Sequence, residues 1–249
     1  MKCIVVGTDR SEAAVAATRW ALDLARRTGA SVELVEAFRT ISAETSPDDL
    51  EEQAAEQLAL IDRWSREHAL APATSHAVAG PPVPVLVGEA VGRRADLVVI
   101  GSDGAAGFTK LGLGSTAHGL AGELAMPLVI VPSTSGDHVG DGPVVIGLDG
   151  SDGNSIALEW TERLAKALGT EVAAVHAPKG DDVAADLFAA AEQRDAALVV
   201  VGARDRNSLG GAIIGRVADE MIHDPARPTA VITHGYQQRC RDAGNETPV

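Results

Sequence analysis

The stretch Gly101-Ser102-Asp103-Gly104-Ala105-Ala106-Gly107-Phe108-Thr109-Lys110-Leu111-Gly112-Leu113-Gly114-Ser115-Thr116 has the pattern glycine, two residues, glycine, nine residues, glycine-serine. Glycines let backbone amides approach an anion with no Cβ in the way. The Gly114-Ser115-Thr116 end falls where a helix should begin, and the unpaired N–H groups and dipole of a helix start favour phosphate. Ser115 and Thr116 add hydroxyl donors. Asp9 closes the first apolar run, Cys3–Gly7. It cannot bind phosphate itself, but it can accept from a ribose hydroxyl or help hold a metal on phosphates. Taken singly, the glycines read equally well as a flexible turn and Asp9 as a cap or turn residue; together they favour a nucleotide site. Two commoner phosphate motifs are absent: there is no Gly-x-x-x-x-Gly-Lys-Ser/Thr run, and no Gly-x-Gly-x-x-Gly follows the first strand.

The elements that must position these residues alternate along the chain. Cys3–Gly7 suits a strand buried on both faces. Ser11 can cap a helix carrying Ala14, Ala17, Ala21, Leu24 and Ala25 at helical spacing, and Gly29 ends it. Ser31–Ala37 reads as a strand. Pro47 opens a second helix with Leu50, Ala54, Leu58, Ile61 and Trp64 on one face. A weak strand at Thr74–Ala79, a helix near Pro84–Arg94, the strand Asp96–Gly101, a helix near Ser115–Ala125 and the strand Pro127–Val131 follow. Strands alternating with helices require crossovers, hence a parallel sheet covered on both faces. In such sheets ligands sit beyond the carboxyl ends of strands beside a change in strand order, which is where the glycine loop and Asp9 should meet.

The 249 residues are 45% hydrophobic and only 3% aromatic, so the core must be built from Ala, Val, Leu and Ile. A net charge of −14 disfavours nucleic acid and anionic membranes as partners. Any phosphate must therefore be held locally, by backbone N–H groups and a helix end. Cys3 and Cys240 stand far apart, without framework or metal-ligand spacing, which points to a reducing, cytoplasmic setting. No apolar run is long enough for a signal peptide or membrane span.

Sliding the chain on itself by 140 residues aligns 3–37 with 143–177 at 12 identities in 35, including Gly7/Gly147, Asp9/Asp149, Ser11/Ser151, Trp20/Trp160 and Gly29/Gly169. Further on the offset is 101: Leu97–Gly101 matches Leu198–Gly202, and Pro127 matches Pro228. The second copy thus lacks 39 residues, corresponding to about 38–78 of the first, which removes the second helix and third strand. We expect a complete domain at 1–137, a linker at 137–143, a shortened domain at 143–235 and a loose tail at 236–249.

The first-strand Val5-Val6-Gly7-Thr8-Asp9, the glycine loop and the closing Pro-Leu-Val-Ile-Val-Pro at 127–132 together resemble the universal stress protein family in tandem form. The resemblance covers nearly the whole chain outside linker and tail. It implies an α/β fold of two tandem open parallel-sheet sandwiches of the adenine-nucleotide alpha hydrolase type, strand order 3-2-1-4-5. It further implies a stress-response role, ATP as ligand, with Mg2+ as its candidate companion, and at most slow hydrolysis. Gly101, Ser102, Gly104, Gly114, Ser115 and Thr116 would surround ribose and phosphates. Thr8 and Asp9 would lie by the nucleoside, and the backbone of Ala37 would meet adenine. The family pairs through the last strand of each domain, here Leu128–Val131 against Ala230–Ile232, so the chain would imitate a dimer, with a homodimer and unidentified protein partners beyond it. Arg10 stands where the family often has glycine, and it either crowds the entrance or adds a phosphate contact.

The second loop departs further, with Asp205 in place of the second glycine and Arg216 in place of the serine. A carboxylate in an anion cradle repels phosphate, so this copy should not hold ATP. The seven histidines show no metal-ligand spacing, although His118, just inside the helix after the loop, could approach a phosphate. No nucleophile–base pair stands out, so no catalytic residue is assigned. Two further readings are a nucleotide-free interaction module and an adenylate-forming enzyme; the latter lacks the His-x-Gly-His and Ser-Gly-Gly-x-Asp-Ser sequences it would need.

Overall fold

The structure is a computed structural model and describes residues 1–40, 46–71, 74–102, 115–136, 139–148, 154–176, 183–203, 216–223 and 225–245. Its first half contains β1 (Cys3–Gly7), α1 (Glu12–Thr28), β2 (Ser31–Phe38), α2 (Pro47–Glu67), β3 (Thr74–Ala79), α3 (Pro82–Gly92), β4 (Leu97–Gly101), α4 (Ser115–Glu123) and β5 (Leu128–Val131). The second half contains β6 (Val144–Leu148), α5 (Asn154–Leu168), β7 (Val172–His176), α6 (Val183–Gln193), β8 (Leu198–Gly202), α7 (Arg216–His223), β9 (Thr229–Ile232) and α8 (His234–Asn245).

All nine strands form one sheet, in the order β3-β2-β1-β4-β5-β9-β8-β6-β7. The first half has the expected order 3-2-1-4-5, and among the described residues the second is one strand narrower, with β7 at its edge. Every neighbouring pair is parallel except β5 and β9, which run antiparallel with Val129 opposite Ala230. Those two residues are counterparts at the 101 offset, so a pseudo-twofold axis passes through them and each half meets the other through the same position. His118 and Asp219, also counterparts, meet across the axis at 2.8 Å and tie α4 to α7.

Each face of the sheet has its own core. One lies under α1, α2 and α5 and contains Trp20 and Trp160; the other lies under α3, α4, α6 and α7. β1 and β4 are covered from both sides, which is why they read as unbroken apolar runs. Ser11 caps α1 by accepting from the Ala14 N–H at 3.2 Å, and Gly29 ends it in the left-handed region at φ 73°.

One sequence expectation, the loose tail, needs revision, and two others are sharpened. The apolar face of α2 is buried only at its last turns, at Ile61 and Trp64, because the helix lies over the sheet margin, where β3 is an edge strand. Leu50, Ala54 and Leu58 are half-buried. The tail is a helix as far as Asn245. Gln237, wholly buried, donates from Nε2 to Ala203 O at 2.8 Å and Ile232 O at 3.0 Å, satisfying carbonyls at the ends of β8 and β9. Within the Gly- and Asp-rich linker, Val139 is fully buried, its N–H donates to Asp23 Oδ2 at 3.0 Å, and Arg27 donates to Val139 O and Asp141 Oδ1.

Candidate functional site

β1 lies between β2 and β4, and the chain leaves it in opposite directions on its two sides, so the strand order reverses there. Ligand crevices of open parallel sheets form at the carboxyl ends of strands at such a point. The register Gly7↔Val35 and Val6↔Val99 brings the ends of β2, β1 and β4 level. Thr8 continues the ladder through its N–H to Val35 O at 2.9 Å, and Ser102 through its N–H to Val131 O at 3.0 Å. Thr8, Asp9, Ala37, Gly101 and Ser102 therefore share one edge. Thr8 is buried, Ala37 and Ser102 are half-buried, and Asp9 is exposed. Ser115 opens α4, with half-buried Thr116 in its first turn. Gly104 and Gly114 lie outside the described residues, together with Asp205 of the second loop.

Gly101 is required by packing within the protein. A Cβ there would come within 2.6 Å of the Ala13 carbonyl carbon, because the first turn of α1 rests on the end of β4. For its counterpart Gly202, the nearest atom among the described residues to an added Cβ is 3.8 Å away.

The turn after β1 is held by its own side chains. Asp9 Oδ1 accepts from the Ser11 N–H at 3.1 Å, and Thr8 Oγ1 accepts from the Arg10 N–H at 3.0 Å. Arg10 sits at φ 63°, the left-handed region that disfavours a side chain by about 1–2 kcal/mol. Its guanidinium pairs with Glu36 Oε1 at 2.8 Å and donates to Gln57 Oε1 of α2 at 3.3 Å. Arg10 is thus engaged with β2 and α2, and in this arrangement it makes no contact of the kind expected toward a phosphate.

Glu36 is 5% exposed and shares its face of β2 with Val32 and Leu34, opposite to the face of Ala37. Burial pushes its carboxyl above the usual range, Arg10 pulls it back and Asp9 pushes it up again. Its second oxygen, Oε2, is buried and has no hydrogen-bond partner among the described residues. Sequence reasoning missed Glu36 and Gln57. The available signal was an acid in step with Val32 and Leu34 on a buried strand, which demands a cationic partner.

His118 points to Asp219, so the structure gives it a role between the halves. Among the described residues no group of three or more His, Cys, Asp or Glu is arranged to hold a metal ion. No helix there is long and apolar enough to cross a membrane.

The model of the universal stress protein family matches residues 1–132 and 179–233. A universal stress protein of Mycobacterium tuberculosis is 30% identical over 171 residues, which cover 67% of this chain and 61% of that protein. The chain therefore spans about three-fifths of that relative's length. A solved universal stress protein from Archaeoglobus fulgidus matches in fold with a TM-score of 0.67 at 19% identity, covering 93% of this chain and 98% of that one. A further solved universal stress protein, in complex with cAMP, matches 53% of this chain and 98% of that one, at 24% identity and a TM-score of 0.43. The nine-stranded sheet, its strand order and the family match lead to one conclusion: the chain belongs to the universal stress protein family.

Proposed function

We propose that the chain is an ATP-binding regulator of the stress response that holds one nucleotide, in its first half, with at most slow hydrolysis. The observation that carries this reading is the convergence of Thr8, Asp9, Ala37, Gly101 and Ser102 on one sheet edge at the strand-order reversal. The residues fit the group. Asp9 is exposed there, suited to a ribose hydroxyl, and the Ser115 start of α4 offers N–H groups to phosphates. Gly104 and Gly114 would let the backbone approach them, and an Mg2+ ion would neutralise phosphate charge beside Asp9.

The function then divides between domains at 1–137 and 143–235, the second having lost its own cradle through Asp205 and Arg216. Bound nucleotide would engage the start of α4, whose next turn meets α7 through His118 and Asp219, and so report occupancy to the second half. We place this activity in the cytoplasm, acting through a protein partner, with the chain working either alone as a pseudo-dimer or as a homodimer.

The test is mass spectrometry of whatever adenine nucleotide co-purifies, followed by calorimetry with ATP. A protein that neither carries nor binds ATP would instead be the nucleotide-free interaction module, the reading that Asp205 and Arg216 favour for the second half.

A further inference from the structure

Asp23 of α1 and Arg163 of α5 are counterparts at the 140 offset, and their surroundings differ. At Asp23 the linker fills the groove with the fully buried Val139. At Arg163 the corresponding groove is roofed by α8 and stays open, leaving a cavity of about 320 Å³ between the halves. Trp160 and Leu164 form its apolar floor, and Asp96 and Thr28 stand on the far wall. Because Asp96 precedes β4 and Thr28 ends α1, the cavity lies at the opposite edge of the first half from the nucleotide crevice.

Two guanidinium groups converge on this cavity. Arg163 donates to Tyr236 Oη and to Glu159 Oε1, each at 3.0 Å. The Arg239 guanidinium carbon stands 5.3 Å from the Tyr236 ring centroid, and among the described residues it pairs with no carboxylate. Arg239 is thus, among the described residues, an arginine without a carboxylate in a chain of net charge −14. Asp96 Oδ2 accepts from the Lys2 and Cys3 N–H groups, at 2.5 and 3.2 Å, which holds this carboxylate at the start of β1. Burial pushes the Tyr236 phenol above its ordinary value, so it stays a neutral anchor for Arg163. Small-molecule sites are commonly of this size and set between domains, with polar groups that converge on the ligand.

We propose that this cavity is a second ligand site, taking a small organic anion with a flat apolar ring: the ring rests on Trp160 and Leu164, and the anionic group meets Arg163 and Arg239. The proposal is independent of the nucleotide reading.

The probe is 2-naphthoate, titrated against the full chain with the Trp160 indole N–H resonance as readout, beside acetate and 2-naphthylmethylamine. The expected result is saturable binding of 2-naphthoate, with acetate and the amine each at least about tenfold weaker. Arg239→Gln and Arg163→Gln should each weaken it by about tenfold or more. Ala167→Leu, which narrows the cavity without touching a charge, should do the same, and circular dichroism should be unchanged in all three. Failure of 2-naphthoate to bind would overturn the proposal, as would equal binding of the amine, or full retention of binding in folded Arg239→Gln and Arg163→Gln.

Discussion

The two halves share an architecture, and at one equivalent position they use it differently. At the end of β4, Gly101 lets the first turn of α1 come within contact of the strand; at the end of β8, the nearest atom among the described residues to a Cβ built on Gly202 is 3.8 Å away. The first half also fastens its β1 turn with Arg10 on Glu36, where the second half has Gly150 and His176. It caps its sheet with α2 and β3, which have no counterpart among the described residues of the second half. The lesson is that a glycine kept in both copies need not be kept for one reason. The first copy closes α1 tightly on a strand end where we propose a ligand, and among the described residues the second copy keeps the sheet without that contact.

This contrast can be broken experimentally. The largest effect should come from Gly104→Asp, which writes the second half's carboxylate into the first loop. ATP affinity measured by calorimetry should fall by about a hundredfold or more, since an unpaired carboxylate beside phosphate is strongly repulsive. Next is Gly101→Ala. Its methyl meets backbone, which cannot swing aside, so urea unfolding should show a loss of about 1–3 kcal/mol, whereas Gly202→Ala should stay within about 0.5 kcal/mol. Equal losses at the two glycines would erase the asymmetry. Ser11→Ala removes the α1 cap and should cost about 1 kcal/mol by the same measurement.

The smallest effect is a pH dependence carried by Glu36. Its carboxyl titrates higher in the folded chain than in the unfolded one, mainly through burial. The folded state therefore binds the proton more tightly, and this group's contribution favours folding below the ordinary carboxylate range. It is lost as pH rises through the folded value. Thermal unfolding of Glu36→Gln beside the parent should show the variant gaining relative to the parent as pH is raised from about 4 to about 7. A constant difference would mean that Arg10 fully offsets the burial.

How much of this was legible in the sequence follows from how local each determinant is. Strand ends, the Ser11 cap and the Gly29 stop rest on residues within a few positions of each other, and β3 fell at Thr74–Ala79 as read. The pairing of β5 with β9 was expected from the resemblance to the family rather than from the residues of the two strands. The helix α8 was not, because its hold on the molecule comes from Gln237 reaching carbonyls of β8 and β9, a contact no periodicity announces. The setting of Arg10 was equally hidden. It needs β1, β2 and α2 together, and from sequence alone its guanidinium had equal reason to turn toward a phosphate. At Gly101 the spacing identified the position, but only the approach of Ala13 reveals a packing reason for the glycine.

The central claim is one nucleotide per chain, held by the first half. Its most direct test is the stoichiometry of ATP binding to the nucleotide-stripped full chain by isothermal titration calorimetry, repeated with Gly104→Asp. The account predicts one ATP per chain and none in the variant. Two per chain, or one per chain that survives Gly104→Asp, would contradict it, as would no binding at all.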